Sequence, residues 1–109
     1  MVELSYRNKK LEKEAENIDE LRRAYGKLVP PNLIVRRLNQ ISASQSIQDL
    51  WQLKQLHFHA LEGRYKGYFA IDIKPRGKYR MIFRPLNGKR EDLRTITQVE
   101  ITELCSNYH

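Results

Sequence analysis

Tyr68-Phe69-Ala70-Ile71-Asp72-Ile73-Lys74-Pro75-Arg76-Gly77-Lys78-Tyr79-Arg80-Met81-Ile82-Phe83-Arg84 decides the fold class. Residues 68–73 are rich in aromatic and β-branched side chains, which suit a pleated strand. Lys74-Pro75-Arg76-Gly77 carries the residues of a turn. Residues 79–84 form a second strand, on which Tyr79, Met81 and Phe83 share one face and Arg80, Ile82 and Arg84 the other. Asn87-Gly88 marks another reversal. Thr97 to Leu104 alternates again, with Val99 and Ile101 opposed to Glu100 and Thr102. The second half therefore reads as consecutive antiparallel strands.

Upstream, the apolar period changes. Leu11, Ala15, Ile18, Leu21, Tyr25 and Leu28 recur at spacings of three and four, which predicts one helical face buried as core. Val2 to Tyr6 alternates as a short strand does, and it is placed to join the sheet. Pro30 and Pro31 interrupt the helix, because proline removes a donor and restricts its predecessor. A second helix starts there, with Pro31 in its first turn and Ile34, Leu38 and Ile41 facing inward. Ser42 to Ser46 is a polar break. Ile47, Leu50, Trp51 and Leu53 read as a short helical turn over the core, with Trp51 as a packing residue. The expected architecture is α+β: two N-terminal helices packed on a small antiparallel β-sheet, one domain over residues 1–109.

The chain has 109 residues, 40% of them hydrophobic, which supplies one modest core. Twenty Lys and Arg against 13 Asp and Glu leave a net charge of +7. That field attracts polyanions, but charge alone leaves nucleic-acid binding and a merely basic soluble protein equally open. Cys105 is the only cysteine, so no internal disulfide forms, which fits a reducing cytoplasm. It reads as a small apolar filler beside the last strand. Met1 to Lys10 lacks an apolar signal core, and no run approaches the roughly 20 apolar residues of a membrane span. A cytoplasmic protein without a membrane partner is expected.

The histidines are His57, His59 and His109. Histidine titrates nearest neutrality and suits proton transfer in the cell. On a strand His57 and His59 would point the same way; from the residues alone, a surface or hydrogen-bonded structural role is the better reading of each. No Cys-x-x-Cys, His-Glu-x-x-His, phosphate-cradling glycine loop or nucleophile elbow is present, so no metal and no cofactor are expected. His59-Ala60-Leu61-Glu62-Gly63-Arg64-Tyr65-Lys66-Gly67-Tyr68-Phe69-Ala70-Ile71 is more informative. A histidine precedes a basic glycine turn and an aromatic strand, and cations interleaved with π faces suit RNA. A charged hairpin with ordinary strand aromatics has the same pattern.

These pieces resemble the killer-protein toxins of the HigB type, in the RelE/ParE superfamily. Those carry His-Pro-Leu-Lys-Gly, a basic stretch, Gly-Tyr/Trp-Ser-Ile, then Trp-Arg-Ile-x-Phe, and end in Asp-Tyr-His. Here stand His59-Ala60-Leu61-Glu62-Gly63, Lys66-Gly67-Tyr68-Phe69-Ala70-Ile71, Tyr79-Arg80-Met81-Ile82-Phe83 and Asn107-Tyr108-His109. The resemblance implies a ribosome-dependent, metal-free endoribonuclease that cuts messenger RNA. In that chemistry the ribose 2′-hydroxyl attacks the adjacent phosphate, and a base, an acid and positive charge are needed. By the same resemblance His59, Arg80, Tyr108 and His109 are the catalytic candidates. His59 and His109 share the acid and base work, and Arg80 clamps phosphate. Arg64, Lys66, Tyr68, Arg84 and Asn107 are candidate RNA contacts. The implied partners are a cognate antitoxin of the helix-turn-helix HigA-like kind, the ribosome and mRNA, with promoter DNA held mainly through the antitoxin.

Departures from the pattern are concrete. Glu62 replaces a lysine and removes a positive charge beside the site. Asn107 replaces the terminal acid, Ala60 replaces proline, and Gly88 to Ile96 is longer and more charged than the pattern has. Two alternatives stay open: a ParE-like gyrase poison, and a non-enzymatic RNA- or ribosome-binding module. A third reading makes part of the helical half the antitoxin's docking surface.

Overall fold

The structure, a computed structural model, describes residues 1–108. His109 lies outside the described residues.

The elements run β1 (Glu3–Tyr6), α1 (Lys9–Ala15), α2 (Ile18–Tyr25), α3 (Pro31–Ala43), α4 (Gln48–Trp51), β2 (His59–Ala60), β3 (Phe69–Asp72), β4 (Arg80–Pro85) and β5 (Gln98–Ser106). The sheet order is β1-β5-β4-β3-β2. β1 does join the sheet, parallel to β5, while the remaining pairs are antiparallel. No helix among the described residues is long and apolar enough to cross a membrane.

The α+β class and the helix-on-sheet layering are as the sequence implies, but the helical half is divided more finely. The Leu11-to-Leu28 stripe is two helices, not one. The Asn17 side chain accepts from the Asp19 and Glu20 N–H groups at 2.9 and 3.4 Å and caps a new start. The second helix then takes its own direction. Leu11 and Leu21 are buried, whereas Ile18 and Leu28 are exposed. Tyr25 ties the pair together by donating to Glu14 at 2.7 Å. α3 has Pro31 in its first turn and buries Ile34, Leu38 and Ile41, as expected. Ile47, just before α4, and Leu50 within it are buried, but Trp51 is 59% exposed and is not a packing residue. A helix this short aims one side inward, and Leu50 takes that side.

The helices and one sheet face enclose the main core, which holds Phe69, Ile71, Met81, Phe83, Val99 and Ile101. Arg37 of α3 is buried beneath β3, where its Nε donates to the Asp72 carbonyl at 3.0 Å. β4 alternates as read, since Met81 and Phe83 face the helices and Ile82 faces away. β5 does not alternate throughout. Its register against β4 slips between Arg80↔Ser106 and Ile82↔Glu103, and again before Phe83↔Ile101. These bulges let both Ile101 and Leu104 reach the main core.

Candidate active site

The sheet face turned away from the helices carries a small apolar floor of Leu61, Ala70 and Ile82, with Tyr65, Tyr68 and Tyr108 packed on it. His59 borders this floor, because β2 pairs it with Ala70. Its Nδ1 lies 2.7 Å from the His57 carbonyl. A carbonyl only accepts, so Nδ1 carries the hydrogen and Nε2 of the neutral ring is left as a proton acceptor. His57 is not on the strand. It has φ 49°, in the left-handed region. Its ring nevertheless stacks on that of His59, with centroids 4.7 Å apart.

A charged row runs beside the histidines. β3 and β4 put Asp72 opposite Arg80. The Asp72 carboxylate is buried, with Arg80 Nε 3.3 Å from Oδ1 and His57 Nδ1 3.8 Å from Oδ2. Arg80 thus sits on β4 opposite Asp72, with its guanidinium paired and its side chain only 12% exposed.

Tyr108 reaches the floor from just beyond the end of β5, where Ser106 pairs with Arg80. Its hydroxyl donates to the Glu62 carbonyl at 2.6 Å, and its ring meets Tyr65 edge-on at 4.8 Å. The Arg64 guanidinium lies 5.2 Å from the centroid of each of these two rings. Burial pushes the Tyr65 phenol up, and the Glu103 carboxylate adds to that. Lys66, Tyr68 and Arg84 line a cavity of about 530 Å³ together with Lys89 and Arg90. Arg84 is committed to Glu100 through bonds of 3.0 and 3.2 Å, which raise its pKa further. Asn107 is exposed. The long 88–96 segment brings Arg90 over Gly67, where an added Cβ would lie 2.8 Å from its Nη1.

His59, Arg80 and Tyr108 therefore share one face, with Arg64 above Tyr108 and Lys66, Tyr68 and Arg84 in the adjoining cavity. The Asp72 carboxylate and the His57 stack were missed from sequence. Asp72 had a signal: it is the one charged residue in the otherwise apolar stretch 69–73. Among the described residues no group of three His, Cys, Asp or Glu side chains is gathered to hold a metal ion.

The family model for HigB-like toxins, RelE-like toxins of type II toxin–antitoxin systems, matches residues 4–95. The chain belongs to this family. The matched span contains His59, Arg64, Lys66, Tyr68, Arg80 and Arg84, and it ends before Tyr108. No curated protein and no solved structure matches the chain. Membership makes this a HigB-like toxin of a toxin–antitoxin pair, with an antitoxin as its partner.

Proposed function

We propose that this HigB-like toxin is a metal-independent endoribonuclease that cuts messenger RNA on the ribosome and stops translation until its antitoxin binds. In the reaction a base takes the proton of the ribose 2′-hydroxyl. That oxygen bonds to the adjacent phosphorus while the bond to O5′ breaks, and an acid returns a proton to O5′. The products are a 2′,3′-cyclic phosphate and a 5′-hydroxyl. His59 is the base by virtue of its Nδ1–H bond to the His57 carbonyl, which leaves Nε2 to accept. His109 follows directly on Tyr108 and takes the complementary role. Arg80 supplies positive charge for the dianionic transition state, and Arg64 holds the RNA backbone. Lys66, Tyr68, Arg84 and Asn107 contact the RNA strand. The antitoxin is of the helix-turn-helix HigA-like kind and makes most of the contacts of the complex with promoter DNA.

The observation that carries this reading is that one open sheet face holds His59, paired beside Ala70 at the edge of the apolar floor, and Tyr108, packed on that floor with the Arg64 guanidinium over its ring. The test is induced expression with mapping of transcript 5′ ends. Cuts phased with codons inside translated frames are expected, and His59→Ala should reduce them roughly 100- to 10,000-fold. Growth arrest without phased cuts would point to gyrase and overturn the proposal.

A further inference from the structure

We infer that Trp51, with the cavities between it and Arg80, forms a second nucleotide subsite that stacks an unpaired base of the RNA beside the cleavage centre. The inference rests on the endoribonuclease reading and deepens it. α4 hides Leu50 completely, as the preceding Ile47 is hidden, yet leaves its tryptophan 59% exposed. Trp51 lines a cavity of about 470 Å³ with Leu53, Lys54, His57 and Phe58. Lys54 and His57 also line a second cavity of about 620 Å³, with Asp72, Arg76 and Arg80. The two hollows share a wall and lead from the indole to Arg80. Lys54, Arg76 and Arg80 there face a single carboxylate, Asp72, which is buried and paired with Arg80.

An exposed indole beside a cationic channel matches single-stranded RNA: the π face takes a base and the cations track the backbone. The His57 ring joins the subsite to the catalytic centre, since it lines both hollows and stacks on His59. A base on Trp51 therefore belongs to a nucleotide flanking the one that is cut.

Trp51 is the only tryptophan in the chain, so its emission reports this position alone. The intact protein is titrated with a short single-stranded 2′-O-methyl RNA, which has no attacking hydroxyl. Tryptophan emission and the anisotropy of end-labelled RNA are read together. Saturable quenching that tracks the anisotropy is expected. Trp51→Ala should weaken binding about 10-fold, Trp51→Phe should retain most of it, and Arg76→Glu should weaken it. Bound RNA with unchanged emission, and unchanged affinity in Trp51→Ala, overturns the subsite and leaves the nuclease reading standing. Failure of the folded protein to bind this RNA also overturns the subsite, while codon-phased cleavage in cells judges the nuclease reading separately. Loss of antitoxin binding in Trp51→Ala with RNA affinity intact assigns the indole to a protein contact instead.

Discussion

A methyl group at position 63 would lie 2.8 Å from the Tyr108 hydroxyl, on a backbone with φ +66°. Both facts press on the same contact, because the Glu62 carbonyl that receives this hydroxyl immediately precedes the glycine. Gly63→Ala should cost about 1–2 kcal/mol from the left-handed conformation alone. It should also dislodge Tyr108, so that cleavage falls by more than the stability loss accounts for. Urea denaturation beside cleavage mapping checks this, and a variant with wild-type cleavage would show that Tyr108 needs no fixed seat. At this scale residue type alone left the histidines open, and it was the family resemblance that singled out His59 and Arg80. Asp72 was missed and Trp51 misjudged because their meaning lies in what surrounds them. Asp72 matters through its partner Arg80 across the strand pair, and Trp51 through the side of a one-turn helix on which it falls. Cys105 behaves as read: burial pushes its thiol to about 11, which keeps it protonated at neutral pH.

Two neighbouring helices, α1 and α2, carry a stripe that runs through both with helical spacing. Spacing alone does not reveal a break between them. The break was nonetheless written in the sequence, since Asn17 is followed by Asp19 and Glu20, the residues of a helix start. Removing the cap should therefore weaken the fold at one defined place. Asn17→Ala is expected to cost about 1 kcal/mol, seen as a lower urea midpoint with an unchanged slope. Cleavage should survive, because α2 packs its Leu21 into the main core on the far side of the sheet from His59. An unchanged midpoint would mean that the cap bonds at 2.9 and 3.4 Å hold nothing. The strands show the opposite pattern. β3 and β4 were legible because one face is apolar at every second residue. β5 was legible only as far as Ile101, since a bulge adds residues without any compositional mark and turns Leu104 inward.

The net charge of +7 acts on RNA in two ways: as a diffuse field over the whole surface and as particular contacts on the site face. Salt separates them, because each phosphate neutralised on a single strand adds about 0.7 to the fall of log K with log salt. The two layers of the fold provide the comparison. Arg64 stands over Tyr65 and Tyr108 on the open face, whereas Arg22 sits on α2 in the helical layer, paired with Asp19 at 2.8 Å. Both removals lower the net charge by one, so a purely diffuse field would respond equally to each. The site reading requires an unequal response. Arg64→Ala should reduce the salt slope of RNA binding by about 0.7, while Arg22→Ala should leave it within error. Equal slopes in the two variants would disperse the RNA contact over the molecule and remove the open sheet face from its special position.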